Sequence, residues 1–140
     1  DIDLGNPNTL TKDWLKKRCS SLVNWLGHVH DVKSIMDQVD VVVLPTFYNE
    51  GLPKSLLEAA SLSKALIATN IPGCREIVKD DINGKLINPK SIKELCDAME
   101  WYINNKDKIK SFGKESRKLV IQNFSDDIII ERTCNLYFKT

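Results

Sequence analysis

Val41-Val42-Val43-Leu44-Pro45 is followed closely by Asn49-Glu50-Gly51-Leu52-Pro53-Lys54-Ser55-Leu56-Leu57-Glu58-Ala59-Ala60. An apolar run without a polar break reads as a buried strand. The Gly/Pro loop after it lies at that strand's carboxyl end, and Pro53 suits the first turn of a helix, where its missing N–H costs nothing. A helix starting near Pro53 would direct free backbone N–H groups at an anion, the layout of a ligand site at a strand-to-helix junction. Gly51 lets the backbone take a positive φ or approach a ligand closely. The two carboxylates, Glu50 and Glu58, then divide the site. Glu58 in the first turns can accept the hydroxyls of a ribose, while Glu50 in the loop faces a sugar beyond the phosphates. A plainer alternative stays open, in which Glu50 complements the helix dipole and Glu58 is a solvated charge.

Working outward, the same pattern repeats. Leu22 to Gly27 reads as a strand whose following loop, His28-Val29-His30-Asp31, lies on the same rim as Glu50. Val32 to Val39 reads as a short helix with Ile35, Met36 and Val39 inward. Ala65 to Thr69 and Lys85 to Ile87 are further strands. Val41 to Leu44, apolar throughout, is expected to be buried on both faces. Strands alternating with helices predict βα units, a parallel sheet and right-handed connections. Asn70-Ile71-Pro72-Gly73-Cys74 turns into a helix carrying Arg75, Glu76 and Val78. Gly73 either presents backbone to a ligand or only fixes the turn. Asp81-Ile82-Asn83-Gly84 carries the Asn-Gly turn signal.

The remaining helices are marked by caps and stripes. Thr9 or Thr11 caps one running through Leu10, Trp14, Leu15 and Cys19. Ser91-Ile92-Lys93-Glu94 is a capping box opening a helix whose Ile92, Leu95, Cys96, Met99 and Ile103 would cover the sheet. Lys106 to Asn123 is a helix or a helix pair interrupted at Phe112-Gly113, and Ser125 caps a last helix ending in Leu136-Tyr137-Phe138.

Composition narrows the function classes. The 140 residues are 42% hydrophobic and 28% charged with a net charge of +1, which suits one globular domain and offers nucleic acid no attracting field. No apolar stretch approaches the roughly 20 residues of a membrane span. Cys19, Cys74, Cys96 and Cys134 are widely spaced, so they are expected to stay reduced, with Cys96 and Cys134 as small core residues. His28 and His30 lack a third ligand nearby in sequence and read as loop residues, not a metal site.

Glu50 to Glu58 resembles the E-x7-E motif of family 4 glycosyltransferases, retaining enzymes of the GT-B fold. Ile71-Pro72-Gly73-Cys74-Arg75-Glu76-Ile77-Val78 with Asn83-Gly84-Lys85-Leu86-Ile87 resembles the family's PG-REIV and NG-L tract, and Phe124-Ser125 its late F-S start of the last helix. Thr46 departs from the pattern, where Ser is commoner, as does Ser63-Lys64-Ala65 in place of Gly-x-Pro.

The resemblance implies an α/β fold, a Rossmann-like parallel sheet flanked by helices, forming the C-terminal half of a GT-B enzyme. Residues 1–140 would be a single, truncated donor-binding domain. The N-terminal acceptor domain and the family's basic Arg and Lys pair would lie outside it. The substrate implied is a nucleotide-diphosphate sugar, a UDP-sugar by preference. Val29 and Asp31 match positions that touch the base through backbone and side chain. Gly51, Leu52, Pro53, Ser55, Leu56 and Leu57 match the diphosphate-binding junction, Glu58 the ribose position and Glu50 the catalytic, sugar-facing position. No cofactor and no metal is implied. The acceptor would be a glycan or a polyprenyl-linked sugar of bacterial surface-polysaccharide assembly, reached through the missing domain. The full-length enzyme would be cytoplasmic, with peripheral association at the inner membrane as an option. A GT-B epimerase or phosphorylase, or a non-enzymatic flavodoxin-like interaction module, would share the architecture.

Overall fold

The computed structural model describes residues 10–48 and 51–138. The chain divides into two compact units, Asp1–Val32 and Lys33–Thr140.

In the first unit, helix α1 (Lys12–Lys16) is capped by Thr11, whose Oγ1 accepts from the Trp14 N–H at 3.2 Å. The Arg18 guanidinium lies 3.4 Å from the centre of the Trp14 ring. The strand expected at Leu22 to Gly27 does not form. Its residues join no ladder beyond a single antiparallel bridge, Ser20 to Val23, and Leu22 is 92% exposed. A strand is defined by its pairing partner, and this apolar run has none among the described residues.

The second unit is a layered α/β structure. Helix α2 (Val32–Asp37) places Met36 in the core and leads into strand β1 (Val41–Leu44). Helix α3 (Lys54–Ser61), strand β2 (Ala65–Thr69), helix α4 (Pro72–Ile77) and strand β3 (Gly84–Ile87) follow. The sheet has the order β1-β2-β3, with both pairings parallel: Val41 faces Ala65 and Leu44 faces Ala68, while Leu66 faces Gly84 and Thr69 faces Ile87. Central β2 is buried at every residue, as an unbroken apolar run between two layers should be. For β1 that expectation fails. It is the edge of the described sheet, and all four of its residues are only half-buried.

One face of the sheet packs on α3 and α4 through Leu56, Ala59, Ala60, Cys74 and Ile77. Leu56 and Ile77 are wholly buried, each worth about 1.5–3 kcal/mol relative to exposure. The other face packs on α5 (Ile92–Asn104) and the first half of α6 (Lys106–Phe124). Ser91 caps α5 by accepting from the Glu94 N–H at 3.3 Å. The Glu94 carboxylate, however, turns to Asn88, taking its backbone N–H at 2.7 Å and its side-chain N–H at 2.9 Å. Those two donors hold the Glu94 carboxyl below its ordinary pKa.

The α5 stripe is rotated from the expected one. Ile92, Cys96, Met99 and Ile103 face outward, and Ala98 and Tyr102 are the buried pair, with Leu95 and Trp101 beside them. The aromatic anchor decides this. Trp101 stacks on Phe112 at 5.6 Å, Tyr102 meets both rings edge-on, and its hydroxyl donates to Leu66 O at 3.1 Å inside the core. Burial pushes the Tyr102 phenol pKa upward.

Helix α6 is continuous through Phe112-Gly113. Gly113 is there for close approach, since a Cβ would lie 2.0 Å from Ser63 O. The last helix, α7 (Asp126–Tyr137), starts after Ser125, whose side chain makes no cap, and it buries no residue. Cys134, like Cys96, is exposed rather than in the core; the four cysteines are free thiols.

Candidate functional site at the carboxyl rim

The parallel strands end together, at Leu44, Thr69 and Ile87, and the segments leaving them form one rim. In open α/β sheets this is where ligands bind. The β1 loop begins with Pro45 and Thr46, where Thr46 Oγ1 accepts from the Tyr48 N–H at 3.4 Å. Glu50, the proposed sugar-facing carboxylate, and Asn49 lie outside the described residues.

From Gly51 onward the junction is well defined. Gly51 is exposed, with nothing within 4 Å of where a Cβ would stand, so a ligand can approach its backbone. Pro53 is buried and caps α3 in extended conformation (φ −67°, ψ 115°), without a side-chain acceptor. The N–H groups of Leu56 and Leu57 fold back onto Pro53 O at 3.1 and 3.2 Å. Among the described residues nothing accepts from Lys54 or Ser55 N–H. Two N–H groups at the positive end of an eight-residue helix are thus left without an acceptor among the described residues, which is what an anion needs.

Side chains along α3 divide by face. Leu56 is in the core and Leu57 is packed against it, so these two residues are available to a ligand through backbone alone. Ser55 is half-exposed and Glu58, one turn further along, is exposed. Leu52 is 44% exposed in the loop. Gly51, Leu52, Ser55 and Glu58 therefore sit together on one loop and one helix. Val29 and Asp31 belong to the first unit, Val29 half-buried and Asp31 exposed. His28 and His30 pack edge to face at 4.8 Å, and no group of three His, Cys, Asp or Glu suited to a metal ion occurs among the described residues.

The other motif residues prove to be architectural. Arg75 donates to Asn70 Oδ1 at 3.2 Å. Gly73 is buried in the first turn of α4, behind Pro72. Asn83 is fully buried; its Nδ2 donates to Ile77 O at 2.9 Å, and its Oδ1 accepts from Lys79 N–H at 2.7 Å. Its carbonyl accepts from Leu66 N–H and from Ser116 Oγ, each at 3.3 Å. The turn expected over Asp81 to Gly84 forms, and its left-handed residue is Asp81, at φ 58°. Gly84 is required because a Cβ would stand 2.5 Å from Leu66 O. Lys85 pairs with Asp81 and lies over the Trp101 ring.

Sequence reasoning passed over one group on this rim. Phe47 and Tyr48 are exposed and adjacent, and Lys90, after β3, lies over Phe47. Nothing in the residue pattern marks Lys90, because its position depends on a left-handed backbone.

Residues 5–119 match the family of glycosyl transferases group 1. A parallel sheet with a helix amino end open at its carboxyl rim is what that match predicts, and the chain belongs to this family. Among curated relatives it is 27% identical over 132 residues to N,N'-diacetylbacillosaminyl-diphospho-undecaprenol alpha-1,3-N-acetylgalactosaminyltransferase of Campylobacter jejuni, covering 94% of this chain and 34% of the relative. It is 30% identical over 112 residues to the capsular polysaccharide biosynthesis glycosyltransferase CapM of Staphylococcus aureus, covering 80% of this chain and 29% of that one. The structure of Anabaena Alr3699/HepE in complex with UDP-glucose superposes with a TM-score of 0.79 at 20% identity, over 91% of this chain and 37% of that chain. That likeness establishes the fold, a parallel α/β sheet flanked by helices that matches GT-B C-terminal domains. The chain spans about a third of the length of the curated relatives it matches.

Proposed function

We propose that this chain is the donor-binding part of a retaining glycosyltransferase that uses a UDP-sugar and serves surface-polysaccharide assembly. The observation that carries the reading is the amino end of α3, where the Lys54 and Ser55 N–H groups have no acceptor among the described residues and the exposed Glu58 follows one turn on. The diphosphate would lie against those N–H groups and the exposed backbone of Gly51. Glu58 would accept the ribose hydroxyls. As the sugar–phosphate bond breaks, negative charge grows on the leaving diphosphate. A fixed helix terminus favours that charge without having to reorganise, so the reading gives no part to a metal or cofactor. Glu50 is assigned the sugar side and the transition state.

For the acceptor, support comes from the relatives' own names, which specify diphospho-undecaprenol-linked sugars in two cases and a poly(ribitol-phosphate) in a third. A polyprenyl-diphosphate-linked sugar or a phosphate-rich polymer is accordingly assigned as acceptor, bound with a preceding domain and, for the lipid, at the cytoplasmic face of a membrane. By itself this chain would bind the nucleotide without transferring sugar. Calorimetric titration with UDP tests the site. Held chiefly by the helix amino end and Glu58, UDP should bind wild type at about 0.1–1 mM, or about 4–5.5 kcal/mol. Glu58→Ala should lose a charge-assisted pair of hydrogen bonds, about 1.5–3 kcal/mol. Affinity for UDP within twofold of wild type would remove Glu58 from the ribose.

A further inference from the structure

Helix α3 opens on Lys54, an exposed residue whose backbone N–H has no acceptor among the described residues. A cation is out of place there. The amino end of a helix carries partial positive charge, so a lysine in its first turn lowers stability unless negative charge lies close by. Helices α1 and α6 also begin on a lysine, Lys12 and Lys106, but each follows it at once with an aspartate, Asp13 and Asp107. The first turn of α3 has no acidic residue.

Other lysines of this unit are engaged within the fold. Lys85, Lys93 and Lys118 pair with carboxylates, and Lys64 and Lys79 donate to backbone carbonyls. Among the described residues the Lys54 ammonium has neither an ion pair nor a hydrogen bond, although Glu58 follows at the i+4 spacing that would allow one. Helical Cα–Cβ bonds tilt toward the amino end, so the Lys54 side chain leaves α3 on the side of the two free N–H groups. Glu58 stands about 6 Å further along the axis. Pro53, buried and held at φ −67°, fixes the point from which this first turn starts.

We infer that the Lys54 ammonium holds the β-phosphate of the nucleotide sugar, together with the Lys54 and Ser55 N–H groups. The inference rests on the reading of α3 as the donor site, and it adds a full charge to one that otherwise offers only backbone dipoles. With Glu58 on the ribose, the outer phosphate falls toward the amino end, one turn away, where Lys54 is. An ammonium gives a phosphate a charge-assisted bond and acts as a point charge, so it needs no fixed fork geometry. The residue that weakens the empty helix would then stabilise the loaded one, a trade of stability for binding.

The test is a titration of this chain, followed by amide NMR, with UDP, UMP and N-acetylglucosamine 1-phosphate in turn. Lys54→Gln removes the charge while keeping side-chain length and helix propensity. It should weaken UDP at least about fivefold and leave UMP within about twofold, whereas Lys54→Arg should hold UDP within about threefold of wild type. The urea midpoint of Lys54→Gln should meanwhile stay at or above that of wild type, since a cation has left the positive end of a helix. A midpoint that fell together with the affinity would make the residue structural and overturn the inference. Equal losses for UDP and UMP would overturn the assignment to the β-phosphate. A loss confined to N-acetylglucosamine 1-phosphate would overturn it as well, because the ammonium would then serve the phosphate of an acceptor. If UDP shifts Gly51 to Glu58 in wild type and Lys54→Gln binds it within about twofold, the donor site stands and this inference falls alone. Absent shifts at about 10 mM UDP in wild type would remove the donor site and the inference with it.

Discussion

Replacing Gly113 by Ala should destabilise the protein, although the same change in most exposed helices stabilises it by about 0.8–1 kcal/mol. The Cβ would stand 2.0 Å from Ser63 O and 2.9 Å from the Ser63 carbonyl carbon. A carbon meets a carbonyl oxygen comfortably at about 3.3 Å, so the gap falls short by about 1.3 Å. Ser63 cannot yield that distance easily. It is in a left-handed turn at φ 58°, its N–H donates to Ala60 O at 3.0 Å, and Lys64 N–H donates to Ala59 O at 3.0 Å just before the fully buried β2. The helix must move instead, and α6 carries Phe112 in the aromatic cluster and Ser116 on Asn83 O at 3.3 Å.

Overpacking of this kind costs about 1–3 kcal/mol and losing the Ser116 hydrogen bond about 1 more, against the propensity gain of about 1. The net expectation is a loss of about 1–3 kcal/mol. Urea unfolding followed by circular dichroism should show a midpoint lowered by about 1 M at unchanged slope, for slopes of about 1–3 kcal/mol/M. Lys114→Ala, at the exposed next position, is the control and should stay within about 0.5 kcal/mol of wild type. A midpoint for Gly113→Ala at or above wild type would refute the claim that α6 is seated on the Ser63 carbonyl.

Two further outcomes follow from the core. Asn83→Ala should cost about 2–4 kcal/mol in the same urea assay, because Ile77 O and Lys79 N–H lose the side chain that satisfies them in a fully buried place, and a cost below about 0.5 would deny the clamp. Tyr102 has a folded pKa raised by burial, so above the unfolded value near 10 the native state binds the phenolic proton more tightly and stability falls as pH rises. Tyr102→Phe should lose about 1 kcal/mol at neutral pH and flatten the decline above pH ~10, seen as converging wild-type and variant unfolding curves; parallel curves would place the titration elsewhere.

How much of this was legible in the residues depended on whether a feature is local. Val41 to Leu44, Ala65 to Thr69 and Lys85 to Ile87 declare themselves as strands, since apolar runs between helical patterns have few other fates, and the parallel order follows. Leu22 to Gly27 looks similar, yet a strand needs a neighbour to pair with, and the sequence of one segment carries no record of that neighbour. The α5 stripe was misjudged for a related reason. Ile92, Met99 and Ile103 are the larger aliphatics, but helix rotation was settled by Tyr102, whose hydroxyl needs a buried acceptor and finds Leu66 O, and by its fit against Phe112, some distance along the chain. Gly113 read as a break because glycine has two uses, turning a chain and letting two backbones touch, and only the position of Ser63 separates them.

At the rim the same distinction sorts chemistry from architecture. Residues named for a donor site fall into two kinds once α3 is in place. Leu56 and Leu57 are spent on the core and have only backbone to offer, whereas Gly51, Ser55 and Glu58 are open to the outside on one loop and one helix. Of the later tract, Asn83 and Gly84 hold β2, β3, α4 and α6 together. Their identity is demanded by packing behind the rim, not by anything bound in front of it. A motif can therefore mark a family correctly while its most constrained residues never meet a ligand. The side chains this rim leaves exposed are a different set, among them Phe47, Tyr48 and Lys90, brought together from loops more than forty residues apart in sequence.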